Sequence, residues 1–516
     1  MLLQNEKLSY LQRSLAFFYI SLMTVIYGLH GNVDGDPYWH IKLGEIMFKT
    51  KTILKHDVLS YSASGVEYIN HEWFSDFILY FFYKFFGEPG GLMAFQFTFV
   101  FLFALMIFLI VRLFSNKLVY SFIAIPLVLL IDFSRILARP HIISDVLFAL
   151  FIYLWERDRQ SDNYKRLYIL IPLTVLWTNI HGSFKIGVAT LGIMWAGEFI
   201  EYIWKKDSRS TSANFIKHGG IVVALCILST VINPWGIALH VFIYQTSFFG
   251  EMAGMMKDNI EWETLMSQRW FSLQYIPLLF FTCAAGFFAN LEKARLSHVL
   301  AFSAIFALTL KAARFSPHLA TISVLITAYN FYMRRIKVAA ILTHVICVLL
   351  FIYSIYFYIH NFNSIIYPFT TRPWAAPRKI VDFLEENNIY GRPFYTWTAG
   401  GYLSFRRWPK QLVFMDGRAP VFKDFFYDYV KLVTRGDTDL FKKLNNKFDF
   451  DYILLPSRLM WLQFAVDLLN DKQWVMVYFE PNEGVLLLKD IPKFEKIIEK
   501  YKFKEPPAQL MPLIKR

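Results

Sequence analysis

Apolar runs recur along this chain with a period set by polar breaks rather than by the heptad or the two-residue strand repeat. They fall at about residues 15–29, 91–113, 118–133, 142–155, 167–180, 186–204, 221–232, 273–288, 299–310, 319–332 and 338–359. A helix needs roughly 20 apolar residues to cross a bilayer, so the shorter runs must borrow their polar flanks. The pattern predicts about eleven membrane-spanning helices. A further apolar stretch at 237–249 reads as an interfacial helix, because counting it as a span would break the alternation of charge described below.

Two regions depart from the pattern. Between the first two runs lies a loop at 31–90, long for a helical bundle and so expected to carry function. Within it, 36–50 reads as an amphipathic helix with Pro37 in its first turn, and 73–86 as an aromatic surface helix bounded by Gly87, Pro89, Gly90 and Gly91. After residue 360 polar positions rise and helix and strand periods alternate. "RKIVDFLEENN" predicts a helix, "QLVFMDG" and "DYILLP" predict buried strands, and "WVMVYFEPNEGVLLLKD" predicts a hairpin turning at 481–484. The division is therefore a membrane domain at 1–360, including the first loop, and a small α/β domain at 361–516.

Composition agrees with this reading. The 516 residues are 56% hydrophobic and 19% aromatic but only 18% charged, too apolar for one soluble core. The net charge of +13 is spread over basic clusters at 112–117, 157–166, 205–217, 293–295 and 334–337. Every second loop is basic, which puts the N-terminus in the cytoplasm and accounts for the charge without nucleic acid. The three cysteines, Cys226, Cys283 and Cys347, lie in apolar runs and offer no disulfide or zinc spacing. The first run reads as a retained signal anchor. The chain is expected in a cytoplasmic (inner) membrane with its C-terminal domain outside.

The same parity gathers "NVDGDPYWHIKLGE" (32–45), "NHEW" (70–73), "RILARPH" (135–141), "NIHGSFK" (179–185), "INPWG" (232–236), "IEWE" (260–263) and "KAARFSPH" (311–318) on the outer face. Such convergence marks a site better than any single member. Asp34 and Asp36 form a D-x-D pair able to share a divalent cation or to leave one carboxylate as a base; Asp36 equally reads as a helix cap before Pro37. Glu72 is a candidate second acid or a helix-start carboxylate. Arg135, Arg139, Lys311 and Arg314 oppose the positive-inside trend, as phosphate-binding or headgroup-snorkelling cations. His40, His71, His141 and His181 are candidate supporting groups, though helix-end hydrogen bonding is the commoner role for a lone histidine. Asp416 and Arg418 in "FMDGRAP" read first as a turn with a local salt bridge.

These motifs carry a resemblance. "DGDPYWHIKLGE…HDVLSYSASG…YINHEWFSDFILY", with "ARPHIISD", "NIHGSF", "NPWG" and "GGYL…FMDGR", resembles a bacterial family of uncharacterised multi-pass membrane proteins. That family is related to the GT-C glycosyltransferases, the superfamily of protein O-mannosyltransferases and oligosaccharyltransferases. The resemblance implies a polyprenyl-phosphate-linked sugar donor, inverting transfer on the extracytoplasmic face, and often a divalent metal such as Mg or Mn. It carries the acidic motif onto Asp34 and Asp36 and a second acid onto Glu72. Membrane lipids and a glycan, lipid or protein acceptor are the expected partners. The alternatives are a transporter or flippase of lipid-linked glycans, and a non-catalytic envelope-assembly protein of the same fold. Transporters favour mid-membrane ionisable groups and internal repeats, and neither stands out here.

Overall fold

The computed structural model describes residues 8–31, 35–161, 164–204, 211–247, 276–333, 340–365, 371–505 and 507–514. Asp34, the "IEWE" segment and the basic stretches at 205–210 and 334–337 lie outside them. The chain is mostly helical and forms two compact units. One holds residues 1–30, 88–244 and 256–368; the other holds 31–87, 245–255 and 369–516. The first loop, grouped above with the spans at 1–360, thus folds with the C-terminal segment instead.

In the helical unit, Tyr10–Gly28 starts at a capping box in which Ser9 and Gln12 exchange hydrogen bonds of 3.0 and 3.2 Å. Gly28 at its end lets the helix close on Gly90–Arg112, since a Cβ there would meet Val100 at 3.1 Å. Among the described residues, four helices are long and apolar enough to cross a membrane: Gly90–Arg112, Leu118–Arg135, Phe184–Trp204 and Ile341–His360. The eleven expected spans go beyond this number. The run at 167–180 shows why, for it divides into a 3₁₀ segment, Tyr164–Ile169, and the nine-residue helix Leu170–Thr178. The stretch expected to be interfacial forms the helix Ile237–Ser247.

One crossing in this unit is charged. A Cβ on Gly197 would lie 2.4 Å from the Ser297 main chain, so the helices Phe184–Trp204 and Leu296–Lys311 touch backbone to backbone. The close approach brings Glu198 within 2.7 Å of the Ser297 hydroxyl and 2.8 Å of Arg159 Nε. Arg295 pairs with Glu156 and reaches Glu198 at 3.7 Å, while His298 Nε2 lies 3.2 Å from Glu156. Arg295, expected in a solvated basic loop, is 3% exposed. Its partner is 139 residues away in sequence, which local charge patterning does not reveal.

In the second unit, Asp36–Thr50 and Trp73–Phe86 form with the predicted bounds. They pack closely because Gly44 faces the Asp76 carbonyl, 2.2 Å from where a Cβ would stand. The helix Trp397–Arg407 covers Asp36–Thr50, with the rings of Tyr38 and Tyr402 5.0 Å apart edge to face. A four-stranded sheet follows: β1 (Pro393–Phe394), β2 (Tyr452–Pro456), β3 (Trp474–Glu480) and β4 (Gly484–Lys489) in the order β1-β2-β4-β3. β1 runs parallel to β2 and the other pairs are antiparallel. β2 is buried along its whole length, as "DYILLP" predicts, and β3–β4 is the predicted hairpin. "QLVFMDG" corrects the prediction. It forms no strand, only an isolated parallel bridge from Val413 to Ser60, because its partner is a loop rather than the sheet.

The charged crossing yields a stability prediction. Arg295→Ala leaves two buried carboxylates without their shared cation and costs about 3–5 kcal/mol. The detergent-solubilised variant should melt well below wild type, and Arg295→Met with Glu156→Leu should recover much of the loss.

Candidate active site

Asp36 is the first residue of its helix. Gly35, not Asp36, is the capping residue, and Pro37 follows in the first turn. The half-buried Asp36 carboxylate lies against the turn Asp416–Gly417–Arg418, where a Cβ on Gly417 would stand 2.1 Å from Asp36 Oδ1 and 3.0 Å from Trp39 Nε1. Only glycine admits the carboxylate that close.

That turn is held by a buried ion cluster. Arg418 grips Asp416 through Nε at 2.9 Å and Nη2 at 2.7 Å, its own N–H donates to the same carboxylate, and Nη1 lies 2.7 Å from Asp57. Burial works against the charge on Arg418, but Asp416 and Asp57 more than offset it and hold the guanidinium charged beyond its usual range. Asp57 in turn accepts from the Ser60 N–H at 3.0 Å. Val413 N–H donates to the Leu59 carbonyl and Tyr61 N–H to the Val413 carbonyl, at 2.9 and 3.0 Å. The first loop is thereby laced to the C-terminal segment beside Asp36. The "FMDGRAP" reading as a salt-bridged turn holds, with Asp57 as the partner that sequence did not reveal.

Glu72 immediately precedes Trp73–Phe86 and keeps 14% of its side chain exposed, with His71 Nε2 3.9 Å from its carboxylate. Buried Tyr68 lies within electrostatic reach of Arg418, Asp76, Glu72 and Asp416, so Glu72 borders the same neighbourhood as the Asp416–Arg418 turn. His40 has a framework role: its Nδ1 pairs with Asp76 at 2.6 Å, and Asn70 donates to the other Asp76 oxygen at 2.7 Å. Burial pushes the Asp76 carboxyl well above the usual carboxylate range, against the lowering pull of Asn70 and Arg418.

The candidate cations and the remaining histidines belong to the helical unit. Arg135 ends a 3₁₀ turn, is 5% exposed, and has Nε and Nη1 without a hydrogen-bond partner among the described residues. Arg135 and Arg314 both lie within electrostatic reach of Asp145 and of buried His318, and Lys185 within reach of Arg314. Of the four candidate cations, Arg135 and Arg314 thus share one neighbourhood. Sequence reasoning missed Asp132 and Asp145, both at most 3% exposed and both facing Arg135; an acid inside an apolar run was their signal. Half-buried Arg139 stands just before the helix His141–Arg159, its N–H donating to the Leu137 carbonyl. Exposed Lys311 closes Leu296–Lys311. His141 Nε2 donates to the Arg135 carbonyl at 2.5 Å. His181 Nδ1 accepts from Ser183 N–H at 3.2 Å and lies 3.1 Å from the Ser144 hydroxyl, which itself accepts from Trp177 Nε1. These two histidines fix helix ends, as the commoner reading had it.

Among the described residues no group of three or more His, Cys, Asp or Glu side chains is placed to hold a metal ion. Asp34, the other half of the expected metal pair, lies outside those residues.

No family model and no curated protein matches the chain. Solved structures do. The apo oligosaccharyltransferase of Archaeoglobus fulgidus aligns with 94% of this chain and 75% of its own, at TM-score 0.57 and 12% identity. The same enzyme tethered by a disulfide bond to an acceptor peptide containing the NVT sequon aligns with 94% of this chain and 74% of its own, at TM-score 0.59 and 12% identity. ArnT from Cupriavidus metallidurans bound to undecaprenyl phosphate aligns with 93% of this chain and 98% of its own, at TM-score 0.55 and 11% identity. All three are GT-C glycosyltransferase structures, and this chain has the GT-C fold.

The Asp76 pair predicts a pH effect. An acid whose folded pKa is raised keeps its proton after the unfolded chain has lost it, so stability falls as pH rises from about 4 through the folded value. Thermal melting of Asp76→Asn across that range should lose part of the downward slope seen in wild type. An unchanged slope would mean that Asp76 ionises normally.

Proposed function

We propose that the chain is a membrane glycosyltransferase that moves a sugar from a polyprenyl-phosphate-linked donor to an acceptor hydroxyl on the extracytoplasmic face, with inversion at the anomeric carbon. The observation that carries this reading is the Asp36 carboxylate, presented by the first loop to a glycine turn, in a chain with the GT-C fold. The acceptor oxygen attacks the anomeric carbon as the bond from that carbon to the phosphate oxygen breaks. Asp36 takes the acceptor's proton as general base, and polyprenyl phosphate departs with the bonding pair. A carboxylate flanking a carbon with oxocarbenium character follows the logic of glycoside hydrolysis. Within the helical unit, Arg135 and Arg314 are the groups suited to hold a lipid phosphate, Arg135 through buried N–H groups that have no hydrogen-bond partner among the described residues. Glu72 is a secondary acid of the second unit in this scheme, and Arg139 and Lys311 are peripheral cations of the helical unit. The N-terminus in the cytoplasm and an inner-membrane location belong to the same proposal.

Purified protein given labelled polyprenyl-phosphate sugars and a panel of acceptors tests it. Asp36→Asn should lower transfer by about 10²–10⁴-fold, with donor binding retained and the product anomer opposite to the donor's. Equal transfer by wild type and variant would overturn the assignment of Asp36.

A further inference from the structure

Arg458 lies close to the main chain that leads into Asp36 and takes no part in the reaction above. It lies in the short 3₁₀ turn Ser457–Leu459, directly after β2. Its guanidinium sits 4.1 Å from the centre of the Trp374 ring, and Nη2 donates to the Thr398 hydroxyl at 3.3 Å. Among the described residues no carboxylate pairs with it; Tyr429 lies within electrostatic reach, and the residue as a whole is exposed, so its free edge opens to solvent. Glu483, at the nearby hairpin turn, is committed elsewhere, accepting from the N–H groups of Lys379 and Ile380 at 3.0 and 2.9 Å. A cation stacked on an indole, fixed at one corner and lacking a counter-charge presents the remaining edge of its fork outward. That edge matches a carboxylate or phosphate.

Its location ties it to the candidate base. A Cβ on Gly35, the residue before Asp36, would meet the Thr398 carbonyl at 2.2 Å and the Ala375 carbonyl at 3.0 Å. Thr398 is the residue that Arg458 bonds, and Ala375 adjoins Trp374. The guanidinium and its ring therefore flank the main chain that delivers Asp36. We propose that Arg458, stacked on Trp374 and tethered to Thr398, is an oxyanion subsite that takes the carboxylate or phosphate of an anionic saccharide acceptor. The assignment to the acceptor rather than the donor rests on the transferase reading, since Arg458 shares a compact unit with the base. The binding itself does not depend on that reading.

Equilibrium binding to the full detergent-solubilised chain, measured without donor and so without turnover, separates the two. The probes are trigalacturonate, glucose 1-phosphate and neutral maltotriose. Wild type should bind at least one charged probe about tenfold or more tightly than maltotriose, the size of a charge-assisted hydrogen bond. Arg458→Gln should erase that preference. Trp374→Leu, which leaves the charge but removes its platform, should weaken it, and Asp36→Asn should preserve it. A preference for trigalacturonate assigns a carboxylate ligand and one for glucose 1-phosphate assigns a phosphate. Equal binding of charged and neutral probes by wild type, or an undiminished preference in well-folded Arg458→Gln, would overturn the subsite while leaving the role of Asp36 intact.

Discussion

The second unit depends on one buried cation. Arg418 is enclosed with Asp57 and Asp416, none of the three side chains more than 1% exposed. Removing three charges from water is expensive, and their mutual attraction repays it only with close geometry and further hydrogen bonds. Both conditions hold here: Asp416 is gripped by two guanidinium nitrogens and the Arg418 N–H, and Asp57 is satisfied by the Ser60 turn. The consequence is positional. Asp57 comes from the first loop and Asp416 from a segment more than 350 residues later, at a separation comparable with that of the Ser62–Phe414 bond of 352. Closing so long a loop in the right register requires a specific partner, and a buried ion pair rejects misalignment where apolar packing would tolerate it. The register it sets brings Gly417 against Asp36.

The helical unit shows two clusters of buried charge. Where the helices Phe184–Trp204 and Leu296–Lys311 cross, Glu156 and Glu198 share Arg295, Arg159, His298 and hydroxyl donors. That set carries its own counter-charges, although Glu156 Oε2, Arg295 Nε and His298 Nδ1 have no hydrogen-bond partner among the described residues. Arg135 sits in a second such cluster. Two of its nitrogens and both nitrogens of His318 lack hydrogen-bond partners among the described residues, although Asp132 and Asp145 are near. Polar groups left so in an apolar surrounding carry a penalty that a bound anion relieves.

Local features were legible in the sequence. The helices Asp36–Thr50 and Trp73–Phe86 are bounded by Pro37 and by Gly87, residues whose backbone preferences act within one turn. The hairpin β3–β4 and the buried β2 follow from runs of apolar residues with a turn between them. What escaped was pairing at long range. The run "QLVFMDG" has the alternation of a strand, yet an extended segment laced to a loop has the same alternation, and only Val413 bridges. His40 looked like a site group because it follows the acidic motif, but its partner Asp76 is 36 residues on. The first loop was assigned to the spans by adjacency, whereas tertiary charge pairing assigns it to the tail. Asp132 and Asp145 were hidden in plain apolar runs, where hydropathy averages out a single acid.

Hydrogen exchange of the detergent-solubilised protein, comparing wild type with Asp57→Asn, bears most directly on the claim that this ion cluster joins loop to tail and seats Asp36. The account predicts that amides at 57–66 and 413–419 lose protection together, with those at the start of Asp36–Thr50 following. Loss confined to 57–60, with 413–419 and the helix start unchanged, would contradict it.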